Sequence, residues 1–111
     1  MDFDSFANTL KALADPTRLR MIALLNVRER CVCELVPLFG ISQPAISKHL
    51  SRLKAVGLVQ ETRRGMWVFY SLNKARLVEV GISLHQLSEM TRELDDLPHP
   101  RFSVDCEGVA T

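Results

Sequence analysis

Ser42-Gln43-Pro44-Ala45-Ile46-Ser47-Lys48-His49-Leu50 is the stretch on which the reading of this chain turns. Ser42 is a good helix N-cap, because its hydroxyl oxygen can accept from a free N–H of the first turn. Pro44 sits inside that turn, where its missing N–H forfeits no hydrogen bond. Ile46, Leu50 and Leu53 then recur at i, i+4 and i+7, one stripe to be buried. Gln43, Ser47, Lys48 and Arg52 fall largely on another face, and Gly57 closes the helix. A face of small hydrogen-bonding groups and cations, with no acid among them, suits the major groove of double-stranded DNA. There Gln43 can pair bidentately with adenine, Ser47 can meet base or phosphate, and Lys48 and Arg52 can contact guanine edges or phosphates. Ser42 belongs to the same candidate set at the helix entrance. His49 either donates to a phosphate or packs within the helix.

Working upstream, a short helix is expected from about Val32 to Phe39. Gly40 ends it, since a helix exit often needs positive φ. Helix, short glycine-containing turn, helix is the helix-turn-helix pattern. Before it, Asp15-Pro16-Thr17 marks another helix start, with Leu19, Met21, Ile22, Leu24 and Leu25 forming a broad apolar face to about Val27. Phe6, Leu10 and Leu13 place a first helix over residues 4–14.

Downstream, the period changes. Leu58 to Leu72 is rich in β-branched and aromatic residues and is interrupted at Arg64-Gly65, which predicts a β-hairpin. A hairpin directly after a helix-turn-helix is a wing, with Arg63 and Arg64 at its tip for phosphates or a narrow minor groove. Trp67 and Tyr70 read as hairpin packing. A last helix is expected from about Lys74 to Leu94, where Leu77, Val80, Leu84, Leu87, Thr91 and Leu94 recur in heptad-like steps suited to a partner helix. Val78 and Ile82 supply a second apolar flank, so one flank can face the domain and the other a second subunit. The expected architecture is mainly α with a β-hairpin wing (α+β), a winged helix-turn-helix in the order α-α-α-α-β-β-α, homodimeric through the terminal helices. Residues 1–97 form the domain, and Pro98 and Pro100 open a loose tail, 98–111, that carries Cys106.

The chain has 111 residues, 47% hydrophobic and 24% charged, as expected of one soluble globular domain. No apolar run approaches the roughly 18 residues of a membrane span. The acidic start Met1-Asp2-Phe3-Asp4 lacks a signal peptide's basic and apolar segments, so a cytoplasmic location without membrane contact is expected. The net charge of +1 hides an asymmetry. Between residues 42 and 74, Lys48, Arg52, Lys54, Arg63, Arg64 and Lys74 face Glu61 alone. Beyond residue 75 the balance reverses, with Glu79, Glu89, Glu93, Asp95, Asp96, Asp105 and Glu107 outnumbering Arg76, Arg92 and Arg101. The middle of the chain is thus where an anionic partner would bind.

Abutting the helix-turn-helix is Cys31-Val32-Cys33-Glu34-Leu35. The count of 3 cysteines cannot pair fully within one chain, and a reducing compartment disfavours structural disulfides. Thiolates select soft ions, and a helix N-terminus favours the thiolate; Arg28 and Arg30 add positive potential. Residues i and i+2 lie about 200° apart around an α-helix. Cys31 and Cys33 therefore grip one ion only if the site precedes the helix or if binding unwinds its first turn. No Cys-x-x-Cys and no glycine-rich phosphate loop is present, which argues against a thiol enzyme.

Ala12-Leu13-Ala14-Asp15-Pro16-Thr17-Arg18-Leu19-Arg20, the Cys31–Leu35 segment, Ser42–Leu50 and Arg64-Gly65-Met66-Trp67-Val68-Phe69-Tyr70 together resemble the ArsR/SmtB family of winged-helix metal sensors, over roughly residues 5–90. The resemblance implies a homodimeric repressor that sits on a palindromic operator and leaves it when metal binds. Cys-Val-Cys at the start of the first helix of the helix-turn-helix is similar to the branch that senses trivalent arsenic or antimony, with other soft ions possible and no organic cofactor. That pattern has a third cysteine where this chain has Val36. Cys106 is then expected to complete a metal site with Cys31 and Cys33, from the same subunit or the other. The family's other site, on the last helix, would fall on Ser83, His85, Asp96 and His99, a poor donor set for a zinc-like ion. A second reading keeps DNA binding but makes the thiols a redox switch, through Cys33 and Cys106.

Overall fold

A computed structural model describes residues 1–90 and Asp95. In chain order the elements are α1 (Phe3–Leu13), α2 (Pro16–Val27), β1 (Arg30–Cys31), α3 (Val32–Phe39), α4 (Gln43–Ala55), β2 (Val59–Arg64), β3 (Trp67–Leu72) and α5 (Lys74–Glu89). The three strands form one antiparallel sheet in the order β1-β3-β2. This is a winged helix-turn-helix, as expected.

Local chemistry sets the boundaries. Asp2, Asp15, Ser42 and Asn73 each accept a backbone N–H with the side chain as N-caps of α1, α2, α4 and α5. Gly40, at φ 65°, ends α3 in the left-handed conformation that a Cβ disfavours and lets the chain turn into α4. Gly65 takes φ 63° at the wing tip while Met66 keeps a negative φ, the sign pattern of a type II′ turn. Arg64 then pairs with Trp67 and the register runs back to Val59 opposite Leu72.

The core is built on α4. Ile46, Leu50 and Leu53 are fully buried, together with Leu35 of α3, Met21 of α2, Ala12 of α1 and Leu58. A polar clamp fixes α5 to this body. The Arg76 guanidinium donates to the Val56 carbonyl at 3.2 Å and to the buried Thr9 hydroxyl at 3.1 Å, while Thr9 donates to the Ser5 carbonyl at 3.2 Å. Burying Thr9 is tolerable because that hydroxyl is bonded as both donor and acceptor.

Two differences from the sequence reading matter. The first is β1, only two residues long, in which Arg30 pairs with Tyr70 and Cys31 with Phe69. A two-residue strand has no period to detect; it forms because β3 offers a free edge to the segment between α2 and α3. The second concerns α5. Val80, assigned to a dimer seam, is 4% exposed and belongs to the subunit's own core, with Leu77 packed beside it. A side chain already enclosed by its own subunit cannot also pack against a partner. The exposed apolar residues of α5 are instead Val78, Ile82, Leu84 and Leu87. The expected positions Thr91 and Leu94, as well as Cys106 and the 98–111 tail, lie outside the described residues.

Because Leu50 is fully buried at the centre of α4, Leu50→Ala is expected to lower unfolding free energy by about 2–5 kcal/mol. Urea denaturation followed by circular dichroism at fixed protein concentration measures this. A loss within the surface range of about 0.5 kcal/mol would contradict the packing of the recognition helix.

Candidate functional site

Cys31 occupies a joint between three elements. It is the last residue of β1, paired with Phe69 of the wing, and at φ −76° and ψ 148° it is also the N-cap of α3. Its sulfur accepts the Cys33 N–H at 3.3 Å, and its own N–H donates to the Glu34 carboxylate at 3.3 Å, a capping box with sulfur in place of the usual hydroxyl. The Cys31 and Cys33 sulfurs meet as a disulfide, with Cα atoms 5.1 Å apart. Cys31 is buried and Cys33 exposed.

The pair adopts one of the two expected arrangements, a site that begins before the helix. Cys31 is extended, so its side chain folds over the first turn and its sulfur meets that of Cys33 without any unwinding. The sulfur partner of Cys33 within the described residues is Cys31; Cys106 lies outside them.

Charges brace the pair. Arg28 donates to Glu34 at 2.7 Å, and an Arg30 guanidinium nitrogen lies 3.8 Å from the same carboxylate. The Arg28 hydrogen bond, and after it the Cys31 N–H, hold the Glu34 carboxyl below its usual range, while Glu34 raises Arg28 further. The Arg30 Nε is buried with no hydrogen-bond partner among the described residues.

The sulfur pair opens into a cleft of about 480 Å³ between α3 and the wing. Val36 and Pro37 of α3 form one wall, Met66, Trp67 and Val68 of the wing the other, and Gln43 of α4 reaches its edge. Trp67 was expected to pack within the hairpin. It is 56% exposed and faces this cleft, while Tyr70 is the aromatic that packs on the core. The signal for Trp67 was the two-residue turn, which fixes it opposite Arg64 at the wing's end.

The candidate DNA residues divide by what already holds them. Gln43, Lys48 and Arg63 are exposed, and Lys48 and Arg63 make no side-chain hydrogen bond or ion pair with a described residue. Ser42 spends its hydroxyl on the Ala45 N–H at 3.3 Å, and Ser47 is half-buried. Arg52 donates to the Asn8 side chain at 3.2 Å. His49 lies with Nδ1 3.2 Å from the Arg18 guanidinium and 3.9 Å from the Asp15 carboxylate, which ties α4 to the start of α2. The Arg18 N–H is the main reason that the Asp15 carboxyl stays below its ordinary range. Arg64 turns back from the wing tip. It forms an ion pair with Glu29 and lies 4.9 Å from the centre of the Phe69 ring. Sequence reasoning missed Glu29, because nothing local announces a partner 35 residues away.

On α5, His85 pairs with Glu89 at 3.1 Å on the exposed surface. Among the described residues no three His, Cys, Asp or Glu side chains gather as a metal-binding group. The expected second-site residues Asp96 and His99 lie outside them.

A helix-turn-helix with a wing and an exposed polar face on its second helix defines a DNA-binding regulator of the winged-helix class. The profile described as "Bacterial regulatory protein, arsR family" matches residues 15–61. Arsenic resistance transcriptional regulator ArsR2 of Pseudomonas putida is 38% identical over 76% of this chain and 70% of its own length. Arsenic resistance transcriptional regulator ArsR1 of the same organism is 47% identical over 57% of this chain, an alignment that spans only 50% of that protein. Among solved structures, the ArsR-like transcriptional regulator from Rhodococcus sp. RHA1 superposes with a TM-score of 0.72 at 29% identity, covering 84% of this chain and 89% of that one. The chain belongs to the arsR family of bacterial regulatory proteins.

The Glu34 carboxyl sits below the ordinary glutamate value of 4.5 when folded. A depressed carboxyl stabilises the fold above its unfolded pKa, and that contribution is lost as pH falls through the folded value. Thermal melts of the wild type are therefore expected to drop more steeply below pH 4.5 than those of Glu34→Gln. Identical pH dependence in the two proteins would remove Glu34 as a braced carboxylate.

Proposed function

We propose that this protein is a metalloid-responsive transcriptional repressor. It binds double-stranded operator DNA as a homodimer and dissociates when trivalent arsenic or antimony is held by Cys31 and Cys33, with Cys106 as third thiolate. The observation that carries this reading is the convergence of the two sulfurs at the joint between the wing and α3. As thiols, two sulfurs within reach of each other suit a soft ion, and such an ion supplies strong bonds to sulfur that outcompete a capping hydrogen bond. Family membership and the arsenic-resistance relatives support the same conclusion.

The chain's own residues then account for release. Gln43 and Lys48 meet the major groove from α4, and Arg63 meets the backbone from the wing. Ser47, Arg52 and His49 flank that surface, with Arg52 and His49 held by Asn8 and Arg18. When the Cys31 sulfur leaves the Cys33 N–H, the start of α3 and the β1–β3 pairing both lose support. Leu35 and Gln43 lie next in line, one buried against α4 and the other at the cleft edge. Release needs a coupling of about 1–3 kcal/mol between ion and DNA. The second subunit would dock on the exposed flank of α5 formed by Val78, Ile82, Leu84 and Leu87.

A redox switch is the second reading, and the disulfide contact favours Cys31–Cys33 as its pair. Oxidant-driven release without any arsenite response under reducing conditions would select it.

Cys31→Ser and Cys33→Ser are each expected to bind operator like the wild type and to keep it when arsenite is added, read by fluorescence anisotropy of labelled promoter DNA. Normal arsenite release in both variants would take the pair out of the sensor. In the same assay Lys48→Ala should weaken binding to all sequences and reduce the salt slope by about one. Gln43→Ala should instead lose discrimination at one base position, by about 1–3 kcal/mol. Loss of discrimination from Lys48→Ala alone would reverse these roles.

A further inference from the structure

From the cleft beside the thiols we infer a subsite for the organic substituent of a monosubstituted trivalent arsenical, R–As(OH)₂, with R an alkyl or aryl group. The inference rests on the reading of Cys31 and Cys33 as sensor thiols and names a ligand class for that site. Three observations carry it. Only two thiols converge among the described residues, and no third His, Cys, Asp or Glu joins them there. The walls next to the sulfurs are apolar: Val36 and Pro37 on α3, and Met66, Trp67 and Val68 on the wing. Met66 and Trp67 are 94% and 56% exposed, large apolar groups held in water at the cleft mouth with no partner in the core.

The valence chemistry fits this shape. A monosubstituted arsenical has two exchangeable oxygens, which two thiols replace completely. The carbon substituent stays on arsenic and needs an apolar surface rather than a third donor. Starting from the reduced pair, which a phosphine reductant generates from the Cys31–Cys33 disulfide, two As–S bonds form and two As–O bonds break. The two thiol protons leave with the hydroxides as two waters, and arsenic keeps its oxidation state. The cleft volume of about 480 Å³ exceeds what one aromatic ring requires. An aromatic R can pack against the Trp67 indole.

The geometry also makes the wing a reader of R. Trp67 and Met66 sit on the same hairpin as Arg63 and Arg64, with Arg64 directly opposite Trp67, so a filled cleft presses on the element proposed to touch DNA.

The test uses the full-length protein kept reduced with a phosphine, loaded with phenylarsine oxide or with arsenite, and titrated with dithiothreitol as competitor; arsenic retained on the protein is measured by mass spectrometry. The small dithiol cancels the intrinsic thiol preference of each arsenical. Trp67→Ala and Met66→Ala change exposed wing residues, and unchanged thermal melts establish that they fold. Each is expected to lower retention of phenylarsine oxide, Trp67→Ala by about tenfold, while leaving arsenite retention unchanged. Cys106→Ser should leave phenylarsine oxide retention at the wild-type level. Equal loss of both arsenicals in the wing variants, or no loss of either, overturns the subsite. Loss of phenylarsine oxide in Cys106→Ser overturns the two-thiol stoichiometry. If wild-type protein retains neither compound through Cys31 and Cys33, the sensor reading fails with it; if it retains arsenite normally and the wing variants show no discrimination, only the subsite fails.

Discussion

The burial of Ile46, Leu50 and Leu53 is the constraint from which the rest of the molecule follows. A helix that sinks one stripe into the core has no freedom about its own axis, so the residues opposite that stripe are fixed in direction. Gln43 and Lys48 are presented to solvent because the leucines cannot be. Leu35 of α3 and Met21 of α2 pack into the same core and set the crossing of the helix-turn-helix. His49 and Arg52 add polar ties to α2 and α1 from the edges of the exposed face. These ties orient the helix as a rigid part and leave fewer of its side chains free for a nucleic acid.

Against that rigid helix the wing is held lightly. On the cysteine side its outer part is held by a two-residue strand and one ion pair, Arg64 with Glu29, while Tyr70 anchors β3 on the core. An exposed ion pair is worth little in water, and two strand pairings are a small part of the sheet. The pairing of Cys31 with Phe69 therefore places a sulfur at this seam. In the proposed mechanism a perturbation there shifts the wing and the start of α3 at little expense to the core, which lies behind Leu35.

Much of this was legible in the sequence because it is periodic or punctuated. The α4 stripe, the Gly40 exit, the Ser42 cap and the Gly65 turn are local signals, and each element formed where its signal stood. What was not legible depends on distance. β1 has no pattern of its own and exists only opposite β3. The partners Glu29 and Arg64, or Thr9 and Arg76, are separated by dozens of residues with no local cue. Val80 misled for a related reason: a heptad-like spacing reports that a face is apolar, and tertiary packing decides which apolar face is inside. The two cysteines were recognised by type, and the conflict of i, i+2 spacing with a regular helix left two arrangements open, a site before the helix or an unwound first turn. A residue at the N-cap obeys extended geometry, and that one difference in ψ brings the sulfurs together.

The choice of cysteine as an N-cap has an energetic consequence. Sulfur is a weak acceptor, so the Cys31 cap holds the Cys33 N–H less firmly than a serine or aspartate would. An ordinary hydrogen bond contributes about 0.5–1.5 kcal/mol net, and a sulfur bond sits at the lower end of that range. Its loss alone falls at the margin of the coupling that a useful switch requires, about 1–3 kcal/mol. In the proposed mechanism the remainder comes from the neighbours that the same sulfur supports, the pairing with Phe69 and the contacts of the cleft with Gln43. A stronger cap would stabilise α3 and make the joint harder to open; a residue without an acceptor would leave the helix start loose in both states. In the proposed mechanism, cysteine at this position holds the helix start only until a better sulfur partner arrives.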